Sequence, residues 1–295
     1  MRLKYLFFGI SLLVIVPGIF ALARYGLRLS IDFSGGSLLE IQNSRIQSDQ
    51  DVTDVKTIFK SQDVEVASWQ KTGNGTYIIR TKPIDNAGKE KVMAMVRSQY
   101  GPTVEERFET VGPVIGRELT QKAIQAVAVA SIAIVIYIAM AFRKIPAPYS
   151  SWKFGVAAVV ALLHDVLVVV GIFAILGHFY HVEIDSLFVT ALLTIIGFSV
   201  HDTIVVFDRI RENLNRTAGK IAFAQVVSDS IWQTLGRSLS TTLTVLFMLL
   251  ALILFGGETI RWFIIALFIG IFSGTYSSIF NAAPLLVVWE EYKRK

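Results

Sequence analysis

Long apolar runs separated by short polar stretches set the plan of this chain. Six segments approach the twenty or so apolar residues that cross about 30 Å of hydrocarbon: 5–23, 121–142, 154–177, 187–207, 230–256 and 262–288. Between the first and second runs the pattern changes to short alternation. "SLLEIQ" (37–42) reads as a strand and "DQDVTDVKTIFKSQ" (49–62) as a helix. "VEVASW" (64–69) and "TYIIRTK" (76–82) read as strands joined by a Gly-Asn-Gly turn at 73–75. "NAGKEKVMAMVRSQY" (86–100) then reads as a helix and "TVEERFETV" (103–111) as a strand. The order β-α-β-β-α-β predicts a ferredoxin-like, split βαβ unit. The expected fold class is therefore an α-helical polytopic membrane protein, six transmembrane helices with an inserted α+β ferredoxin-like extracytoplasmic domain. The expected boundaries are 1–23 for the first helix, 24–120 for the inserted domain and 121–295 for a five-helix bundle.

Composition agrees: 53% of the 295 residues are hydrophobic and only 17% charged, outside the range of ordinary soluble domains. The formal charge of +5 reads as loop topology rather than nucleic-acid binding, because cytoplasmic loops of membrane proteins carry excess Lys and Arg. Arg2, Lys4, Arg143, Lys144, Lys153, Arg209, Arg211, Arg216, Lys220, Arg237, Lys293, Arg294 and Lys295 fall on one side, and only Arg261 in the short loops of the other. Both termini are expected in the cytoplasm. The first run follows Arg2 and Lys4 but lacks a convincing small-residue cleavage site and continues into Arg24 and Tyr25, so a retained helix is expected rather than a signal peptide. With no cysteine, disulfides, thiol catalysis and Cys-ligated zinc are excluded.

Two ionisable pairs lie inside apolar runs, where charge is costly and usually functional. Counting back from Phe207, Asp202 sits about 7–8 Å inside the fourth run. Ser228 or Asp229 is a good N-cap, so the fifth helix is expected to begin near 230, two turns before Arg237. That places Arg237 and Asp202 at similar depth as candidate partners. A carboxylate that pairs with Arg in one state and loses it in another changes its proton affinity. His201, next to Asp202, either joins such a relay or serves as a hydrogen-bonded spacer, since neighbours on a helix point about 100° apart. Asp165, beside His164, belongs either to the proton route or to a structural hydrogen bond with Ser or Thr of the fifth helix, Thr241 and Thr242 being candidates. The His–Asp pairs imitate a metal site, but no third or fourth ligand stands at helical spacing, and no metal is expected. Gly270 and Gly274, continued by Ser278, form a small-residue stripe for close helix packing. Gly35 and Gly36 permit a sharp turn into the first outer strand, and Asp32 is placed to accept backbone N–H bonds there. A phosphate cradle is disfavoured because no helix N-terminus or lysine pattern follows.

"IDFSGGSLLEI" (31–41, with Asp32, Phe33, Gly35 and Gly36), "VGPVIGRELTQKA" (111–123, with Gly112, Pro113 and Gly116), "GFSVHDTIVVFDRIREN" (197–213) and "SGTYSSIFNAAPLLV" (273–287) together resemble the SecF family of protein-export subunits. The resemblance covers essentially the whole chain. It implies an auxiliary, non-enzymatic subunit in the bacterial inner membrane that acts with a SecD-like subunit, the SecYEG channel, the candidate partner YajC, membrane lipid and unfolded preprotein. It further implies that protons are the coupling ion, with no cofactor, and that Asp202 and Arg237 are the matching residues of proton passage. His201 departs from the asparagine usual in the family. No Walker loop is present, so ATP work must come from elsewhere. The alternatives are half of a proton-driven efflux transporter for a small solute, or an architectural subunit whose Asp202 and Arg237 form a static pair.

Overall fold

The computed structural model describes residues 4–71, 75–143, 145, 149–217 and 220–293. The termini beyond these, Lys144, and most of the turn expected at 73–75 lie outside the described residues. Two compact units emerge, one of residues 1–28 with 124–295, the other of residues 29–123.

The smaller unit is an antiparallel sheet of β1 (Gly36–Gln42), β2 (Val66–Lys71), β3 (Thr76–Thr81) and β4 (Val104–Val111) in the order β2-β3-β1-β4. That is the ferredoxin-like order expected from the alternation. Helices α3 (Asp49–Ser61) and α4 (Asn86–Tyr100) supply Val55, Phe59, Val92, Met93 and Val96, which pack on Leu39, Ile41, Tyr77 and Ile79 of the sheet. In β3 Tyr77, Ile79 and Thr81 are buried and the residues between them less so, as period two requires. Ser48 and Asp51 close α3 with a capping box, and the backbone N–H groups of Ser48 and Gln47 hold the Asp51 carboxyl below its usual range. Lys89 is buried but bonded to Glu105 at 2.8 Å, which holds its ammonium above the usual lysine range.

The larger unit is built on α1 (Lys4–Tyr25), the later part of α5 (Pro113–Ala141), α6 (Ser151–Tyr180), α7 (Ser186–Thr217), α8 (Phe223–Phe255), α9 (Glu258–Ser277) and α10 (Ala283–Lys293). A π-helical turn, Ser278–Ala282, joins α9 to α10, so that these form one long apolar element, and among the described residues six helices are long and apolar enough to span a membrane. Pro284 offers no N–H and crowds the carbonyl four residues before it; the wider π turn lies where that mismatch falls. At one end of the bundle, Phe142, Phe154 and Phe207 meet at centroid distances of 5.3–6.1 Å.

Several helices exceed their expected bounds. α7 continues ten residues past Phe207 because Asp208–Arg211, Arg209–Glu212 and Glu212–Arg216 pair along its polar end, so Asp202 stands about midway along the helix. α8 begins at Phe223, not near 230. Burial of Phe223, Val226 and Val227 carries the helix back, Tyr149 stacks on Phe223, and Asp229 accepts from Gln225 inside the helix instead of capping it. Packing outweighed the capping signal.

Candidate functional site

Asp165 of α6 is fully buried. Its Oδ1 accepts from Ser273 Oγ at 2.7 Å, and its Oδ2 from Ser199 Oγ at 2.5 Å and Ser277 Oγ at 2.7 Å. His164 Nδ1 lies 3.0 Å from Oδ1. Three helices converge on this carboxylate, and the partners foreseen for it, Thr241 and Thr242, are elsewhere: Thr241 bonds the Arg237 carbonyl and Thr242 bonds Thr275. Beyond Asp165 the network continues to α1, with His164 Nε2 3.1 Å from Ser11 Oγ and Asn281 Nδ2 donating to that same oxygen at 2.8 Å.

Asp202 of α7 is buried too, and its two oxygens accept from Ser238 Oγ of α8 and Ser278 Oγ of the π turn, each at 2.7 Å. Arg237 is not its partner in this conformation. The Arg237 side chain is exposed and forms no ion pair among the described residues, because on α8 it points about 100° away from Ser238. His201 is likewise exposed, with no hydrogen bond among the described residues, so the spacer bond expected of it is not made here. Thr203, one residue past Asp202, keeps a buried hydroxyl with no partner among the described residues.

Buried carboxylates ordinarily need a cation or several donors. Here the donors are serine hydroxyls, plus one imidazole at Asp165. A hydroxyl can donate to a carboxylate or accept from a carboxylic acid, so both cages remain satisfied when the acid gains or loses a proton. The two cages meet at adjacent residues, Ser277 reaching Asp165 and Ser278 reaching Asp202. Of the serines in "SGTYSS" only Ser278 stands out in the sequence, for packing, and nothing is assigned there to Ser273 or Ser277; their hydroxyl character at positions facing two acids is the signal that finds them. Among the described residues no cluster of three or more His, Asp and Glu is gathered in metal-binding proximity.

The glycine stripe supports this arrangement. A Cβ at Gly270 would overlap the Ile195 side chain, and one at Gly274 would meet Ser199 Cβ at 3.1 Å and Asp165 Oδ2 at 3.6 Å. The small residues therefore let α9 sit against α7 closely enough for Ser273 and Ser277 to reach the acid. A second close crossing, unmarked by any motif, is Gly18 of α1 against Gly171 of α6.

Within the smaller unit two of the quoted motifs meet. Ser30 caps a single helical turn, α2 (Ile31–Ser34), by accepting from the Asp32 N–H. Gly35 and Gly36 follow at φ 72° and 122°, open to glycine, and turn the chain into β1. Pro113 begins α5, a favoured first position, and the Gly116 N–H donates to the Gly112 carbonyl at 3.0 Å. A Cβ at Gly116 would stand 2.9 Å from Gly35 N and 3.0 Å from the Phe33 carbonyl oxygen. Phe33, Gly35, Pro113 and Gly116 thus form one close-packed joint, whereas Gly112 has open space around it.

Comparison with known proteins places these features in a family. Residues 91–292 match the model of the protein export membrane protein SecD/SecF C-terminal region, and residues 20–42 match the SecD/SecF GG motif. The SecF protein translocase subunit of Thermobaculum terrenum is 49% identical over 298 residues, covering 98% of this chain and 93% of that protein. SecDF of Bacillus subtilis, a protein translocase subunit, is 36% identical over 96% of this chain, which spans 37% of its length. The crystal structure of SecDF, a translocon-associated membrane protein from Thermus thermophilus, superposes with a TM-score of 0.82 at 32% identity, covering 99% of this chain and 38% of that one.

Proposed function

The chain belongs to the SecD/SecF family of protein-export membrane proteins, and from that premise we propose that it couples proton movement through its helical bundle to the export of unfolded preprotein. It is an auxiliary, multi-pass membrane subunit of the Sec export machinery. A SecD-type partner follows from the fused relatives, in which a sequence like this one occupies little more than a third of the length. In the same reading SecYEG and the preprotein are the further partners, with YajC as an additional one. The membrane is the bacterial inner membrane, and the excess of Lys and Arg in alternate loops supports cytoplasmic termini.

The observation that carries the coupling is the pair of buried, hydroxyl-lined carboxylates joined through Ser277 and Ser278. Each cage tolerates both protonation states, which a carboxylate clamped by arginine would not. Arg237 precedes by one residue the serine that holds Asp202, so rotating α8 by about 100° exchanges serine for guanidinium and expels the proton. Asp165 is the second proton carrier. His201, at the exposed edge of α7, is the nearest titratable side chain to Asp202 along the sequence and stands for proton exchange at the bundle surface. One charge crossing 100 mV releases about 2.3 kcal/mol, enough to bias a two-state motion about fifty-fold.

The test is Asp202→Asn in the assembled complex, reconstituted in vesicles under an imposed pH gradient and assayed for proton flux and preprotein export together. Loss of both supports coupling. Unchanged flux and export would leave a scaffold, and flux retained without any export in the wild-type complex would favour a solute exporter.

A further inference from the structure

Between α1, α6 and the start of α10 lies a groove of about 400 Å³. Its walls are apolar, among them Phe8, Leu12, Val160, Leu163 and Leu285, and its polar groups are Ser11, His164 and Asn281. These are the residues that continue the Asp165 network.

Proton counting shows what the three residues do. When Asp165 is ionised and accepts the three serine hydroxyls, the His164 Nδ1 facing it at 3.0 Å is the nitrogen that carries the proton and donates. His164 Nε2 in the neutral ring is then an acceptor. The hydrogen bond available to it at that nitrogen is the Ser11 hydroxyl, 3.1 Å away. That same hydroxyl also lies 3.1 Å from Asn281 Oδ1. Ser11 has one proton and two acceptors, and Asn281 Nδ2 fixes its oxygen by donating at 2.8 Å. The hydroxyl therefore has two orientations. One satisfies neutral His164; the other, toward Asn281, leaves its lone pair for an Nε2–H.

We propose that His164 and Ser11 form a proton branch between this groove and Asp165, with Asn281 holding the Ser11 oxygen in place. The inference rests on the reading that the bundle passes protons. In the transfer, Ser11 gives its O–H proton to Nε2 and takes a replacement from a protonated water in the groove, while Nδ1 gives its proton to the Asp165 carboxylate. One proton leaves the groove water and one arrives on Asp165; the imidazole ends neutral with its proton moved from Nδ1 to Nε2. Of the groove's polar residues, Ser11 and Asn281 are the ones that keep oxygen lone pairs for a water at its floor, since both ring nitrogens of His164 are already engaged. Tyr276 of α9 faces the imidazole with rings 6.3 Å apart, but its hydroxyl donates to the Phe7 carbonyl, so Asp165 is the charged group facing His164 among the described residues.

The test uses the full complex with its SecD-type partner in vesicles carrying an entrapped pH dye. Ser11→Ala and His164→Gln are expected to lower proton flux at least about tenfold, and Ser11→Thr, which keeps the hydroxyl, to restore most of it. Asp202→Asn is measured beside them. Loss of flux in Asp202→Asn with full flux in Ser11→Ala overturns the branch and leaves the coupling reading standing. The reverse result overturns the role of Asp202 and leaves the branch. No flux in the wild-type complex overturns both. Because the chain has only four histidines, nitrogen-15 NMR on histidine-labelled complex gives an independent readout. Both neutral tautomers of His164 are expected, shifting toward one in Ser11→Ala; a single tautomer that does not respond to Ser11→Ala overturns the proposal whatever the flux.

Discussion

Gly171→Ala tests whether the seat of α1 controls the buried network. A Cβ at Gly171 would lie 2.7 Å from Gly18 Cα and 3.1 Å from its carbonyl carbon, against about 3.5–4.0 Å for ordinary carbon contact. The nearest atoms are backbone, so no side chain can swing away and the helices must part by about 1 Å. Gly18 pairs with Gly171 and Ser11 with His164, each pair separated by the same offset of 153, so α1 and α6 run parallel in register and the two contacts stand about 10.5 Å apart. Moving α1 outward by about 1 Å takes the Ser11–His164 contact from 3.1 Å to about 4 Å, beyond hydrogen-bond range. Overpacking of this size costs about 1–3 kcal/mol, and a folding unit the size of the helical one, residues 1–28 with 124–295, loses about 2–4 °C in melting temperature for each kcal/mol. Thermal unfolding of the purified protein in detergent reads the loss. Gly9→Ala is the control, since a Cβ there meets nothing within 4 Å and alanine favours the helix by about 0.5–1 kcal/mol. A Gly171→Ala melting temperature equal to or above that of Gly9→Ala refutes the reasoning.

Gly270→Ala is expected to destabilise the bundle by about 1–3 kcal/mol, with Ile195→Ala in the same chain recovering part of the loss, because the added methyl falls on the Ile195 side chain; strictly additive melting shifts would contradict the contact. Asp165→Asn turns an acceptor of three hydroxyls into a group with two donors, leaving buried polar atoms unmatched at about 1–3 kcal/mol. His201→Ala, at an exposed position, should stay within about 0.5 kcal/mol, and thermal unfolding of the two variants side by side decides. At the start of α3 the Asp51 carboxyl is held below its usual range by the backbone N–H groups of Ser48 and Gln47. Its folded value is depressed, so its contribution is complete above the unfolded value of about 3.9 and is lost as pH falls through the lower folded value. Amide exchange at residues 48–52 should accelerate selectively in that acid window, and an unchanged pattern there would discount the capping box.

The legible parts of the sequence were those whose signals are local and periodic. Alternation in β3 and the capped helices α3 and α4 gave the strand and helix order, and that order fixes a ferredoxin-like sheet. Six apolar runs gave six spans, though their ends moved wherever packing or polar pairing extended a helix: Phe223, Val226 and Val227 pulled α8 back, and the ion pairs after Phe207 carried α7 on. Asp165 and Asp202 were legible as candidate site residues because charge inside an apolar run is conspicuous. Their partners were not, since hydroxyl donors arrive from three other helices and serine is common in membrane spans for mere packing. Arg237 illustrates the limit of reasoning by depth alone. Similar height along two helices says nothing about azimuth, and one residue's rotation separates Arg237 from Ser238, which makes the contact.

The π turn begins where one helix serves both acids. Adjacent side chains on a helix diverge by about 100°, so Ser277 and Ser278 necessarily look toward different neighbours, α6 and α7 in this bundle. An uninterrupted α-helix would keep every later residue in the register that Ser277 sets. A π turn widens the helix by one residue per turn, which re-aims the chain so that Asn281 reaches Ser11 on α1 while Leu286 and Val287 return to the core. Helical regularity is thus relaxed where the hydrogen-bond paths from α1, α6, α7 and α8 converge. Since a π turn and an α turn differ by one backbone register, this segment is also where α9 and α10 can shift with the least loss of backbone bonding, and a change in either acid's proton would act on it directly through Ser277 or Ser278.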